Sequence, residues 1–236
     1  MLLHYNYPIM FLDLLFGSPA LALAWIAAIF LVLTVHEFSH ALVGKLRGDR
    51  TAEREGRLTL NPLSHIDPTG LILLLLFGFG WAKPVPYNPY NLKDPKWDSV
   101  RIALAGPLSN LIMAIIAGVA FRVLVMGGII ASLNLLSIFL FLTILLNLFL
   151  LLFNIIPIHP LDGSKLFFAL FDHPKHAQLR QFVAVRGPQI LLVAVLISAF
   201  TSINIFFFIS GPSFAICDAM IGQSCLGYFS SIFSLI

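Results

Sequence analysis

The residues best suited to chemistry lie in one short stretch, Val35-His36-Glu37-Phe38-Ser39-His40. Residues spaced i and i+4 share one helix face, so the imidazoles of His36 and His40 can bind one metal ion. Glu37 is placed to polarise a metal-bound water. The stretch lies in an apolar run that begins near Pro19. Because ionisable groups inside a membrane helix are costly unless they serve a function, we favour a zinc site over two core histidines and a buried glutamate.

A catalytic zinc usually has three protein ligands and one open position for water. We favour Asp162 as the third ligand, because it directly follows a predicted membrane helix on the same side and a carboxylate at that depth needs a partner. The alternative role for Asp162 is the N-cap of the following segment. The other candidates for a ligand are Glu53, Glu55, Asp67, His65, His159, Asp172 and His173.

Three further polar residues are candidates for supporting roles. Asn154 lies about two helical turns before Asp162, where its amide could donate to a substrate carbonyl or a developing oxyanion, or satisfy a backbone group of a broken helix. Asn110 interrupts a predicted span, and either bonds a neighbouring helix or contacts the substrate or the site. His65 is explained equally well by a polar turn and by a supporting role.

The elements that must position these residues are membrane helices. The chain has 236 residues, of which 59% are hydrophobic and 11% charged, with a mean hydropathy of +0.95. Such a composition indicates a polytopic membrane protein in contact with lipid, and the net charge of +3 gives no indication of nucleic-acid binding. The pattern predicts an all-α fold with about four full transmembrane helices, at residues 19–44, 99–126, 131–156 and 188–210.

Shorter apolar segments fill the remainder of the chain. Residues 69–82 are too short to cross and predict a re-entrant hairpin or loop beside the site, while the alternation in 57–60 predicts a short edge strand. Residues 213–236 form a hairpin, a surface helix or a fifth span. We divide the chain into an interfacial segment (1–18), a catalytic core (19–186), and a C-terminal span with a tail (187–236).

The positive charges predict the orientation of the protein in the cell membrane. Lys and Arg are absent from residues 1–44 and 187–236, and all but Arg122 fall in three stretches between. By the positive-inside rule these stretches are cytoplasmic, both termini are extracytoplasmic, and the site opens toward the cytoplasm. A disulfide between Cys217 and Cys225 is one option for the tail in an oxidising compartment.

The motifs HEFSH, AGPLSN and NIIPIHPLDG, in this order, resemble those of the site-2 protease family. GRLTLNPLSHIDPTG and GWAKPVPYNP are similar to its compact prokaryotic branch without a PDZ domain. The resemblance implies an intramembrane zinc endopeptidase that cuts transmembrane segments of other proteins with one Zn²⁺ per chain. It assigns His36, His40 and Asp162 as ligands, Glu37 as the base, and Asn154 as an aid to substrate binding or to the transition state. His159 stands where an apolar residue or proline is more usual.

Two other functions use similar residues. A metal-handling or transport protein also has broken helices and buried charges, but it does not need Glu37 as a base. A proteolytically inactive scaffold is disfavoured because every expected chemical group is present.

Overall fold

The computed structural model describes residues 15–77, 80–201 and 203–234, and these residues are predominantly helical. Their one β contact outside helices is an isolated antiparallel bridge between Ile66 and Ala82. Four helical stretches are long and apolar enough to cross a membrane, which confirms the all-α polytopic fold. Residues 1–14 of the predicted interfacial segment lie outside the described residues. The four stretches are Pro19–Leu46, Pro95–Met126, Leu135–Asn154 and Pro174–Phe200.

The α-helices follow one another along the chain with short connections. In chain order they are α1 (Pro19–Leu46), α2 (Thr51–Arg54), α3 (Pro68–Phe77), α4 (Pro95–Phe121), α5 (Leu135–Asn154), α6 (Gly163–Leu170), α7 (Ala177–Phe200), α8 (Phe207–Ile221) and α9 (Cys225–Phe233). A π-helical turn, Arg122–Met126, extends α4. Single 3₁₀ turns occupy Pro62–Ser64, Pro89–Asn91 and Pro174–His176.

The core is formed where α1, α4 and α5 pack together. Phe121 and Phe141 are fully buried there, and Ala28 and Ala114 leave room for close helix contact. Lipid is as apolar as these side chains, so close packing of small residues and interhelical hydrogen bonds must stabilise the helix contacts. The same close contact brings α4 against the helix face that carries His36 and His40.

The segment predicted to be re-entrant turns back on itself. Helix α3 has ten residues, about 15 Å, which is about half of the hydrocarbon thickness. The returning chain bridges Ala82 to Ile66, and the Lys83 amide donates to the His65 carbonyl over 2.8 Å. Gly70 is required at this crossing, because a Cβ there would collide with the Trp81 carbonyl. Both ends of the segment therefore lie together, as the hairpin interpretation requires.

The edge strand predicted for residues 57–60 is wrong. Residue 57 has no regular secondary structure and residues 58–60 form bends, and polar groups of this loop make tertiary contacts. The Thr59 carbonyl accepts from His65 Nε2 over 2.8 Å, and the Arg57 side chain is buried. The alternating polar and apolar residues at 57–60 therefore belong to a loop with one inward-facing arginine.

The bounds predicted for the fourth span, 188–210, are also wrong. The helix begins at Ala177 and ends at Phe200, with Pro188 in its interior. Residues 177–186 contain Arg180 and Arg186, which suggested a loop. In the structure they extend the helix beyond its apolar part.

The C-terminal tail is a helical hairpin of α8 and α9. Gly222 ends α8 with a left-handed conformation (φ 74°), and a disulfide joins Cys217 to Cys225. Arg122, the one cation outside the three basic stretches, donates to the Ala219 carbonyl near the end of α8 over 3.1 Å. A cation at a helix C-terminus also interacts favourably with the helix dipole.

Candidate metal centre

Three side chains from two parts of the chain converge on one point. The Nε2 atoms of His36 and His40 lie 3.0 Å apart, and Asp162 Oδ2 lies 3.3 and 3.4 Å from them. His36 and His40 are 3% and 8% exposed, on the buried face of α1. Asp162 comes from the loop between α5 and α6, which brings a carboxylate next to both imidazoles.

Hydrogen bonds on the far side of each imidazole determine which nitrogen carries the proton. His40 Nδ1 lies 2.7 Å from the Ile102 carbonyl of α4. A carbonyl only accepts, so Nδ1 is the protonated nitrogen and Nε2 presents a free lone pair. Such an outer partner also fixes the orientation of the ring.

His36 is oriented by a longer chain of buried amides. The Thr143 carbonyl accepts from Asn147 Nδ2 over 2.8 Å, and Asn147 Oδ1 accepts from Asn110 Nδ2 over 2.7 Å. This leaves Asn110 Oδ1 facing His36 Nδ1 at 2.6 Å, so Nδ1 donates and His36 Nε2 is also bare. We call Asn110 and Asn147 the amide relay. It connects the site to α4 and α5.

These donor atoms fit a single divalent cation. With both Nδ1 atoms protonated, the two Nε2 lone pairs face each other and an ionised carboxylate oxygen, an arrangement that a cation stabilises. Asp162 Oδ2 is buried and accepts no hydrogen bond from the described residues. Donors about 2.0–2.1 Å from one tetrahedral zinc lie about 3.3 Å apart, close to the observed separations. Two imidazoles and one carboxylate are also a familiar set for catalytic zinc.

The loop that carries Asp162 is shaped for this position. A Cβ on Gly163 would be 2.5 Å from the Ile155 carbonyl carbon and 2.7 Å from the Ile156 oxygen, so only glycine allows the chain to fold back so tightly. Asp162 precedes α6, but its side chain makes no capping hydrogen bond to that helix. The side chain of Asp162 therefore does not act as the N-cap of α6.

Gly106 allows α4 to approach the site. A Cβ at this position would collide with His40 Nε2 and lie 2.5 Å from His36 Cε1. Pro107 follows inside the same helix, and Ile102 lies one turn earlier. The small residues of α4 thus place the Ile102 carbonyl and Asn110 within hydrogen-bonding distance of both imidazoles.

Glu37 is buried beside the two histidines, at 8% exposure. Its Oε2 accepts from the backbone amide of Val85 over 3.2 Å. Val85 belongs to the proline-rich loop that returns from the re-entrant segment. The base predicted by the motif is therefore fixed by a loop amide, not by a second side chain.

Other predicted residues lie in different surroundings. The Asn154 amide donates to the Leu150 carbonyl of its own helix over 3.0 Å, and its part in substrate binding stays a prediction. His65 Nε2 donates to the Thr59 carbonyl and supports the loop. The Lys45 ammonium beside Glu53 holds the pKa of that carboxyl below its usual range, and the Lys96 ammonium does the same for Asp172.

Three residues have roles in this geometry that were not predicted from the sequence. Asn147 carried a signal, as an amide in a long apolar helix. Gly106 carried a weaker one, as part of a small-residue stripe. Val85 carried no such signal, because its contact with Glu37 depends on where the proline-rich loop meets α1.

The chain is similar in sequence to known peptidases over parts of its length. A model of peptidase family M50 matches residues 122–198. The protein named putative zinc metalloprotease YwhC, of Bacillus subtilis, is 44% identical over 152 residues, 63% of this chain and 69% of that protein. Putative zinc metalloprotease Rip2 of Mycolicibacterium smegmatis is 32% identical over 132 residues, 46% of this chain and 51% of that protein. No solved structure matches the chain.

Proposed function

Because the chain belongs to peptidase family M50 and is an intramembrane zinc metalloprotease, we propose that His36, His40 and Asp162 hold its zinc. Glu37 is the general base, and the substrates are peptide bonds in or near transmembrane segments of other membrane proteins. The observation that carries this proposal is the convergence of three ligand atoms, all within 4.8 Å of one another, inside a bundle of apolar helices.

The bound zinc would lower the pKa of a water molecule and polarise the scissile carbonyl. Glu37 accepts a proton from the attacking water and returns it to the leaving amine. The Ile102 carbonyl and Asn110 keep both imidazoles in the protonation state that binds metal. The helices around the site exclude bulk water, which strengthens each of these electrostatic interactions.

The substrate must unwind before it is cut. In an intact helix each carbonyl is bonded to the amide four residues later and surrounded by the helix, so it is not open to attack. The return arm, residues 80–88, lies extended next to Glu37 and is a candidate surface for pairing with an unwound segment. A substrate whose central residues are all leucine should be cut more slowly than one that contains glycine or asparagine.

The orientation in the membrane follows from the positive charges. We place the three basic stretches in the cytoplasm and both termini outside. Water and the base then reach the scissile bond from the cytoplasmic side. The site lies near that surface, since His40 precedes Lys45 by little more than one helical turn.

The direct test measures zinc content and cleavage of a model membrane substrate. Glu37→Gln should keep wild-type zinc and lose cleavage by at least about 10³-fold. Asp162→Asn should lose zinc and cleavage together. Asp172→Asn, which removes an acid paired with Lys96 outside the site, is the matched control and should keep both. Wild-type zinc affinity in Asp162→Asn would contradict the ligand assignment, and cleavage by Glu37→Gln would contradict the base.

A further inference from the structure

The proline-rich part of the return arm crosses over the catalytic base in an extended conformation. We call this part, residues 81–88 (Trp81-Ala82-Lys83-Pro84-Val85-Pro86-Tyr87-Asn88), the strap. It contacts the loop after α1, the base itself and α6. Nothing in the chemistry of peptide hydrolysis requires a covering loop to donate to the base, so the contact with Glu37 needs its own explanation.

The strap offers a single amide hydrogen at the point where it meets Glu37. Pro84 and Pro86 have no backbone N–H, so Val85 supplies the one donor of the Pro-Val-Pro triplet. A residue that precedes proline is confined to extended conformations, and both Lys83 and Val85 precede one. The backbone of the triplet is therefore restricted to extended conformations even in the unfolded chain. This restriction limits the directions in which its one amide hydrogen can point.

Arg57 fixes the peptide unit that contains that amide and the peptide unit before it. Its Nη2 donates to the Lys83 carbonyl over 2.6 Å, and its Nη1 donates to the Pro84 carbonyl over 3.1 Å. The side chain is 5% exposed and, within the described part of the chain, pairs with no carboxylate. Burying an unpaired guanidinium is costly, and the two carbonyls are the groups that compensate for it.

The far end of the strap is also anchored. The Asn88 amide donates to Asp49 Oδ2 over 2.7 Å, and the Lys165 ammonium lies 5.7 Å from the centre of the Tyr87 ring. Burial raises the pKa of Asp49, but hydrogen bonds from Asn91, Thr51 and Asn88 outweigh it and hold that pKa below its usual range. Lys165 follows Asp162 by three residues, so the strap links the base to the element that carries the third ligand.

We propose that Val85 is a positioning residue for Glu37 and that Arg57 is a positioning residue for Val85. The amide holds Oε2 of the carboxylate, which leaves Oε1 free of hydrogen bonds from the described residues and available to the attacking water. A carboxylate on a freely rotating side chain would spend much of its time in other rotamers. This inference rests on the proposed function, because it assigns the base its orientation.

Two other roles for the strap make different predictions. If the strap only braces the loops, loosening it should lower thermal stability without a specific effect on kcat. If it is a cover that must lift to admit substrate, loosening it should raise kcat/KM. Positioning of the base instead requires that kcat falls while KM and zinc content stay near their reference values.

The experiment compares Val85→Pro with Val85→Ala in the full-length protein. Proline removes the amide hydrogen, whereas alanine keeps it and serves as the reference for the lost side chain. We expect kcat of Val85→Pro to be roughly 10- to 100-fold below that of Val85→Ala, the range for a hydrogen bond to a charged group, with KM and zinc content within about twofold. Equal kcat values, or a rise in kcat/KM, would overturn the proposal.

A second pair of variants decides the matter if Val85→Pro does not fold. Arg57→Met removes both hydrogen bonds to the Lys83 and Pro84 carbonyls, while Arg57→Lys keeps a cation that can donate to one of these carbonyls. Arg57→Met should lose kcat by a similar factor, and Arg57→Lys should recover part of it. If both variants melt below the wild type and neither changes kcat, the strap is a brace. Cleavage by wild-type protein in the same assay separates failure of this inference from failure of the proposed function.

Discussion

Two buried amides determine which nitrogen of His36 is free to bind a metal at the proposed site. The Thr143 carbonyl cannot donate, so Asn147 must turn its NH₂ group toward it, and each later partner in the amide relay then has one allowed orientation. His36 Nδ1 therefore stays protonated even though Asn147 does not touch the imidazole. A residue on α5 thus helps to orient a proposed metal ligand on α1 through α4.

Removing the far member of the relay should weaken zinc binding. In Asn147→Leu, Asn110 is free to rotate and to present its NH₂ group to His36. We expect zinc to bind roughly 10- to 100-fold more weakly, measured by competition with a chelator, with the helical content unchanged.

Ser109→Ala is the control for a lost buried hydroxyl on the same helix, because among the described residues Ser109 Oγ donates only to the Gly106 carbonyl of its own turn. It should leave zinc affinity unchanged. If Asn147→Leu and Ser109→Ala bind zinc equally tightly, the relay has no part in orienting His36.

At the scale of the elements, the sequence predicted those contacts that depend on a single helix. The i, i+4 spacing placed His36 and His40 together, because a single helix determines that distance. The partner of Asn110 could not be predicted, since contact with Asn147 depends on the rotation of α4 and α5 about their axes. The start of α7 was misplaced because charged residues can extend a membrane helix as readily as they form a loop.

The approach of α4 to α1 depends on one glycine. Gly106→Ala adds a methyl group that meets both imidazoles, so α4 must move away and its hydrogen bonds to the histidines must lengthen. We expect loss of zinc and of cleavage in a protein that still inserts and remains helical.

Gly44→Ala provides the matched control at the same pair of helices. A Cβ at Gly44 would lie 3.9 Å from Ile102 Cδ1 of α4, which is ordinary contact. This variant should keep its zinc and be slightly more stable, as alanine favours helix by up to about 1 kcal/mol. If Gly44→Ala lost as much zinc as Gly106→Ala, the loss would reflect any added volume between α1 and α4. It would then not be specific to the contact of Gly106 with the imidazoles.

At the scale of the whole molecule, the two ends of the bundle differ in chemistry. One end carries the ion pairs Lys45–Glu53 and Lys96–Asp172 and the strap over the base. The tail hairpin, with its disulfide, packs against the segment after α4, where Tyr228 donates to the Ser132 carbonyl. In the orientation proposed above, with the basic end in the cytoplasm, the disulfide end lies outside, in the compartment where disulfides persist.

This asymmetry predicts that the disulfide stabilises the protein without affecting catalysis. Closing so short a loop contributes about 2.5 kcal/mol in the chain-entropy account, which corresponds to roughly 5–10 °C in melting temperature for a chain of this size. Replacing both Cys217 and Cys225 with serine should lower the melting temperature by that amount and leave zinc content and cleavage unchanged. In Cys217→Ser, the remaining Cys225 should react with a membrane-impermeant thiol reagent applied from outside the cell after mild loosening of the tail. Labelling that requires access from the cytoplasm would invert the orientation proposed here, and with it the side from which water reaches the scissile bond.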